Sequence, residues 1–424
     1  MKLEFFRRKS QPKAIVALDL GTENVKAVLF TVEEKQNMNG EVVGKRGIIK
    51  GVGKIHHQIG DMKSSITDIA SVVRNAKQAI LIASQEAGLQ PQQLVMGIAG
   101  EFVKGATSTM SYKREDSESK INVSELRNIV HKLQWRSFAE IRKNLSEETG
   151  YPEIDVKLIH SSIVEIRIDK YKVANPLGFQ GKEVQMSIFN SFAPLNHYEA
   201  LQNIADDLEL ELLSIVSEPF ALSRCFDFEE GELSNIFIDV GGSVTDIAVV
   251  INGAVIGTKM FGIGGRTFTK RLAMELNISF DEAEKLKYAY TADKLEAKSK
   301  KIISDIISDD LEVWLEGVVL ALSEFHPLNG LPTKILLSGG GTYLPEIKTT
   351  LNTRKWYKKL PFTRTPQTSF LAPKNLRNII DETKKIKERE DIIPVSLVNI
   401  GIHLAGEETV VQKVLRKVIG IMKV

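Results

Sequence analysis

Three short stretches combine acidic, hydroxyl and glycine residues at spacings that could hold a charged ligand. In IVALDLGTENVKAVLF, residues 15–30, an apolar run reaches Asp19, turns through Gly21 and Thr22, and returns as a second apolar run past Lys26. IFIDVGGSVTDIAVV, residues 236–250, repeats the plan with Asp239, Gly241, Gly242 and Ser243. KILLSGGGT, residues 334–342, is an apolar run entering the turn Gly339-Gly340-Gly341. Asp and Gly are ordinary turn residues, so one such stretch alone reads as a plain hairpin. Two facing hairpins can do more. Backbone N–H groups in glycine turns are preorganised anion donors and would clamp a polyphosphate. Thr22 and Ser243 would add hydroxyl donors, and Lys26, which also reads as a surface residue at the strand end, would contact a phosphate. Asp19 and Asp239 would hold a hydrated divalent cation, since magnesium prefers oxygen ligands and keeps several waters. The third turn offers a surface without side chains, where a base and ribose can lie close.

These turns need strands and helices to position them, and the chain supplies both in alternation, which favours an α/β class. Residues 14–31 and 235–260 read as hairpins, and their shared plan is a weak internal repeat, expected of two related halves facing a cleft. Residues 64–88 read as a helix, with Ile66, Ile69, Val72, Val73, Ala76 and Ile80 near helical spacing and Gly88 as its end. Residues 95–185 change character: a charged segment, a helical stretch near 124–146, then a β-rich stretch, together read as a small inserted subdomain. Residues 280–325 read as helical and charged, and the charge-dense residues 377–390 as a solvated helix face or loop.

Bulk properties set the class. The 424 residues exceed the roughly 250–300 at which single cores stop growing, so two or more domains are expected. With 43% hydrophobic and 26% charged residues the composition is that of a globular protein, and a net charge of +2 argues against a nucleic-acid binder. Cys225 is the single cysteine, so no internal disulfide can form, as suits a reducing compartment. The apolar residues 236–257 are broken by Asp239, Asp246 and glycines, so they do not read as a span, which needs about 20 apolar residues. The basic start MKLEFFRRKS lacks the apolar run of a signal peptide. The expectation is a cytoplasmic protein with only peripheral membrane contact. The seven histidines show no metal spacing, and His56-His57 reads as an exposed pair.

The order and spacing of the three turns resemble the actin-like ATPase superfamily. DLGTENVK and DVGGSVTD look like its two phosphate motifs, LLSGGGT like its adenosine motif, and SEPFALS like its first connecting motif. The resemblance implies ATP with Mg2+ as cofactors, and places Glu218 near the attacking water; Glu218 before Pro219 is also an ordinary first turn of a helix. Within the superfamily the chain most resembles the bacterial FtsA family. ANPLGFQGKEVQMSIF carries Asn175, Pro176, Gly178 and Gly181 in that family's pattern. GIGGRTFTKRLAMEL followed by EAEKLK is similar to its nucleotide-side segment, through Gly264, Gly265, Thr269, Glu284 and Lys287. By resemblance, Glu284 and Lys287 approach ribose and adenine. Two departures stand out: Ser243-Val244 where the second motif usually has Gly-Thr, and Arg271 where the family often has Asp. Such changes spare nucleotide binding more readily than hydrolysis, so ATPase activity is expected to be weak or absent.

The implied architecture is an actin-like (ribonuclease H-like) two-lobed fold with an inserted α+β subdomain. Residues 1–94 and 179–223 would form the first lobe, 95–178 the insertion, 224–261 and 331–390 the second lobe, 262–330 a helical nucleotide-side subdomain, and 391–406 a closing helix of the first lobe. Residues 407–424 would be an amphipathic tail. There, Val411, Val414, Leu415, Val418, Ile419 and Met422 line one helical face, while Lys413, Arg416 and Lys417 lie mainly on the other. This is the composition of an interfacial membrane helix; each basic residue near an anionic bilayer adds about 1 kcal/mol of attraction. A terminal helix packed on its own domain is the competing reading. The family resemblance implies the tubulin-like partner FtsZ, self-association into filaments, an anionic lipid membrane, no nucleic acid, and a place on the inner face of the membrane at the division site. A PilM-type pilus-assembly scaffold shares the fold, and a small-molecule kinase is the remaining alternative.

Overall fold

The computed structural model describes residues 13–37, 41–57, 68–98, 103–149, 155–226, 234–325, 330–376, 378–405 and 410–421. The chain begins with the hairpin β1 (Ile15–Leu20) and β2 (Asn24–Gln36), extended by β3 (Val42–His56). Helix α1 (Ile69–Ala87) follows; the Asp68 carboxylate accepts from the Ser71 N–H at 3.2 Å, and Gly88 ends the helix at φ 62°. β4 (Gln93–Ile98) returns parallel to β1.

The insertion comprises β5 (Lys104–Lys113), α2 (Val123–Thr149), β6 (Val156–Ile168), β7 (Tyr171–Lys172) and β8 (Glu183–Pro194). Helix α3 (Leu195–Asp207), β9 (Glu211–Ser217) and the short α4 (Glu218–Arg224) lead to the second hairpin, β10 (Asn235–Val240) and β11 (Thr245–Ile251), then β12 (Ala254–Phe261). Helices α5 (Gly265–Leu276), α6 (Phe280–Thr291) and α7 (Ala297–Ser323) come next. β13 (Lys334–Ser338), α8 (Pro345–Thr353), β14 (Gln367–Phe370), β15 (Ile379–Asp381), α9 (Ile392–Leu404) and α10 (Val410–Ile421) complete the chain.

Two sheets result, ordered β15-β3-β2-β1-β4-β9 and β14-β13-β10-β11-β12-β5-β8-β6-β7. The repeat in the sequence is a repeat in the sheets: each has an antiparallel hairpin whose first strand also pairs with a parallel neighbour. The registers match as well, setting Asp19 opposite Lys26 and Asp239 opposite Asp246. Between the two sheets lie α4 and α9, whose side chains join residues of both lobes in one apolar cluster. α9 is buried from Ile392 to Ile402, which its nearly uninterrupted apolar sequence permits.

Glycines let helices sit directly on β3. A Cβ at Gly51 or Gly53 would meet the backbone of Ala83 or Ala79 in α1, whereas one at Gly47 would meet Val398 and Ile402 in α9. The change of face follows the register shift between Leu29 and Phe30, where the extra residue, Lys50, reverses the alternation.

Several expectations need correction. β4 belongs to the first sheet, and β8 pairs with β5 and β6, so the inserted layer runs from 104 to 194 rather than 95 to 178. Its sheet is also hydrogen-bonded to the second lobe: Ala106 pairs with Gly257, Gly105 with Thr258, and the Thr107 hydroxyl donates to the Val255 carbonyl. β15 pairs with β3, so residues near 379 already belong to the first sheet. His57 is buried beside the Asn75 amide at 3.0 Å, while its neighbour His56 is exposed; alternation along an extended chain separates them. Ile66 lies outside the described residues.

In this structure α10 takes the competing arrangement, packed on its own domain. Val411, Val414, Leu415 and Val418, assigned from the sequence to a lipid-facing surface, are packed in one cluster with Leu126, Val130 and Leu133 of α2 and Ile166 of β6. The groove on the inserted layer is apolar, so it satisfies the same face that lipid would. Lys417 is exposed on the other side, and Arg416 and Ile419 lie within the helix. Met422 falls outside the described residues. Among the described residues no helix is long and apolar enough to cross a membrane.

Candidate functional site

A cavity of about 890 Å³ opens between the lobes, and the three glycine turns meet around it. Asp19, Gly21, Thr22 and Lys26 line it from the first hairpin, and Asp239, Gly241, Gly242 and Asp246 from the second. Glu218 at the start of α4 forms part of the floor. Gly265 of α5, Glu284 and Lys287 of α6, and Gly339, Gly340 and Gly341 complete the opposite wall. Ser243 and Gly264 do not line the cavity. Ser243 instead donates its N–H to the Thr22 hydroxyl at 3.1 Å, a bond between the two hairpins. Gly264 packs on the second turn, where a Cβ would stand 2.7 Å from the Gly241 and Gly242 carbonyl oxygens. Those carbonyls accept from the Gly265 and Arg266 N–H groups at 2.9 and 2.7 Å, fixing the turn to the N-terminus of α5.

Four buried carboxylates, Asp19, Glu218, Asp239 and Asp246, line the same cavity. Burial, opposed by Lys26 and reinforced by Asp239, pushes Asp19 up to about 7. Glu218 is pushed well above the usual carboxylate range by burial and by Asp19, Asp246 and Asp239, and its Oε1 has no hydrogen-bond partner among the described residues. Asp246 is raised by burial and by Asp239. Asp239 is raised by burial although the Ser338 hydroxyl donates to it at 2.5 Å. Like charges held this close favour a proton or a cation between them. Asp19 and Asp239 supply two carboxylates rather than a full protein cage. That donor set fits an ion that keeps water and takes its other ligands from a bound anion.

Lys26 is turned toward a neighbour that the sequence reading did not anticipate. Its Nζ donates to the Glu390 carbonyl and lies 3.8 Å from the carboxylates of Glu390 and Asp391. Lys54 Nζ reaches Glu390 Oε1 at 2.5 Å. Burial opposes ionisation of Glu390, but Lys26 and Lys54 hold it below its usual range. The Arg389 guanidinium stacks 3.6 Å from the centre of the Phe370 ring and donates to the Thr342 carbonyl at 2.9 Å. Residues 388–391 therefore strap the third glycine turn to the first hairpin, and Glu388 and Glu390 line the cavity. Within the charge-dense stretch, Arg389 and Glu390 serve this pairing, while Glu382, Lys384, Lys385, Lys387 and Glu388 are exposed, as expected of a solvated loop.

At the other end, Lys287 Nζ is 2.8 Å from Glu284 and donates to the Gly265 carbonyl at 3.0 Å and the Thr269 hydroxyl at 2.6 Å. This network locks α6 to α5. Gly339 has φ 86° and packs against the Val240 backbone, so the turn needs glycine there. Arg271 pairs with Asp310 at 2.8 Å, a structural role away from the cavity lining. The sequence reading also missed Arg266 and Glu23. Arg266 donates from Nε to Glu23 and from Nη2 to the Thr22 carbonyl at 3.1 Å, spanning the cleft. Its one signal was its place immediately after Gly264-Gly265.

Comparison with known proteins agrees with this geometry. Residues 236–387 match the family model described as cell division protein FtsA. The chain is 26% identical over 285 residues to cell division protein FtsA of Pseudomonas aeruginosa, covering 66% of this chain and 61% of that protein. It is 24% identical over 352 residues to cell division protein FtsA of Neisseria meningitidis, covering 78% of each. Among solved structures, a chain of a PilM-PilN type IV pilus biogenesis complex superposes with a TM-score of 0.61 at 16% identity, covering 92% of this chain and 98% of that one; this likeness speaks for the fold alone. Two lobes with register-matched hairpins and a cleft ringed by glycine turns give the structural setting of the stretch, residues 236–387, that is similar to the FtsA family.

Proposed function

We propose that this chain is an FtsA-like scaffold of bacterial cell division that binds ATP with Mg2+ between its lobes. The observation that carries the reading is the pairing of Asp19 and Asp239 at equivalent register positions across one nucleotide-sized cavity. Gly21, Thr22, Gly241 and Gly242 would surround the phosphates, with the Ser243 N–H holding the Thr22 hydroxyl. Gly264 and Gly265 would hold the second turn in place. Glu284 and Lys287 would meet the ribose and adenine, and Gly339–Gly341 would lie against the adenosine. Magnesium, when bound through water, would screen the phosphates from the two aspartates. Glu218 would position the attacking water, and the departures at Ser243-Val244 and Arg271 support slow or absent turnover.

By the same family reading, the tubulin-like protein FtsZ would dock on the helical subdomain α5–α7. Head-to-tail contacts that do not close would give filaments. The basic face of α10 would meet an anionic membrane, placing the assembly on its inner surface at the division site. The seated α10 favours one second reading, a PilM-type scaffold that works without a membrane tail.

Titration calorimetry with ATP tests the central claim. Asp19→Ala should weaken magnesium-dependent binding by roughly tenfold or more, the scale of one lost charge-assisted contact. Equal affinity for wild type and variant in magnesium would refute the metal role. Glu390→Gln should act oppositely. It removes a negative charge from the cavity and loosens the grip on Lys26, so ATP should bind roughly threefold to tenfold tighter. Unchanged or weaker binding in the same titration would show that the strap does not oppose the phosphates.

A further inference from the structure

The inserted layer carries a helix-binding groove, and its occupant is the chain's own C-terminus. α10 lies across α2 and β6, with Val411, Val414 and Leu415 each 3% exposed and Val418 fully buried. The same cluster holds Leu126, Ile129, Val130 and Leu133 of α2, and Ile166, Ile168, Val184, Met186 and Ile188 of β6 and β8. On the outer side Lys413 and Lys417 are exposed. Only five residues, 405–409, separate α9 from α10. Fully extended, five residues span at most roughly 18 Å, so the helix stays close to the groove whenever it leaves.

We propose that α10 exchanges between this groove and an anionic lipid surface, so that the inserted layer limits how much of the chain can bind membrane. The proposal rests on the membrane reading given above. Its physical basis is that Val411, Val414, Leu415 and Val418 cannot face the α2 groove and the bilayer together. The two destinations compete for one apolar face, and the lipid affinity observed is reduced by the fraction of helices still seated. The exposed Lys413 and Lys417 can meet anionic headgroups first, while the apolar face remains in the groove. Lipid then draws the helix out, and the groove residues of α2 lose their cover.

The test uses the full chain and vesicles of phosphatidylglycerol mixed with phosphatidylcholine. Three proteins are compared by co-sedimentation: wild type, Val130→Ala in the groove, and Val414→Asp in the helix. Hydrogen exchange of α2 and α10 is followed with and without vesicles. The proposal expects Val130→Ala to need roughly threefold to tenfold less lipid for half-binding than wild type. It expects Val414→Asp to lose binding, and α2 amides of wild type to exchange faster once vesicles are added. If wild type pellets, Val414→Asp does not, and Val130→Ala matches wild type with α2 exchange unchanged, exchange with the groove is refuted while the membrane reading stands. If neither wild type nor Val130→Ala pellets although both are folded by circular dichroism, the membrane reading itself fails.

Discussion

Gly53→Val is expected to lower the melting temperature by roughly 3–4 °C, because overpacking of this kind costs about 3 kcal/mol and, at about 2.1 cal/mol/K per residue, each kcal/mol moves the midpoint by roughly 1 °C in a chain of 424 residues. A Cβ at this position would stand 2.8 Å from the Ala79 carbonyl carbon, and one at Gly51 would stand 2.9 Å from that of Ala83. Both obstacles are backbone, so no side chain can rotate away. α1 answers the glycines with its own small residues, Ala76, Ala79 and Ala83, all fully buried. A valine at 53 must lift the helix off the sheet and open the cluster that holds Val72 of α1 together with Leu18 of β1 and Leu29 of β2. Thermal unfolding followed by circular dichroism checks this. A midpoint within about 1 °C of wild type would mean that α1 is not held at this depth.

The second large effect is on pH dependence. Asp19 has its pKa raised to about 7, and Glu218, Asp239 and Asp246 are raised with it. Between the ordinary carboxylate range and these raised values the folded state binds more protons than the unfolded chain. Stability of the ligand-free protein must then fall as pH rises from about 4 to about 7, and level off above for the part due to Asp19. Asp19→Asn removes one of these charges, so the variant should exceed wild type at pH 8 by about 2 kcal/mol and match it near pH 4. Urea titrations at pH 4.5, 6 and 8 measure the difference. Should it be independent of pH, the cluster does not hold its protons in the folded state. ATP with magnesium should flatten the wild-type profile, because the cation replaces the protons.

The features legible in the sequence were those carried by local pattern. Both hairpins, their aspartates and the third glycine turn were visible because an Asp-x-Gly between apolar runs encodes strand, turn and strand within about 16 residues. α1 was visible through its period and Gly88. What stayed hidden depended on distant partners. Glu390 meets Lys26 and Lys54 across more than 330 residues, and a charge run looks the same whether its partners are water or lysine. Arg266 meets Glu23 across 243 residues. The β-rich stretch that forms β6 was visible as strand without showing which sheet it joined. α10 shows the same limit most sharply. Amphipathicity demands that one face be covered, and both a bilayer and the α2 groove can cover it.

The join between β5 and β12 has a consequence for how the chain is made. Thr107 leaves the ribosome 148 residues before the Val255 carbonyl that it will bond. At roughly 5–20 residues per second that interval lasts on the order of 10–30 s. Throughout it, one side of β5 is a bare strand edge in a crowded cell, a template for pairing with any neighbour. The strand itself, KGATSTMSYK, is polar and bracketed by lysines. Those residues contribute little to the finished core, but during synthesis they keep other chains off the edge until its own partner arrives.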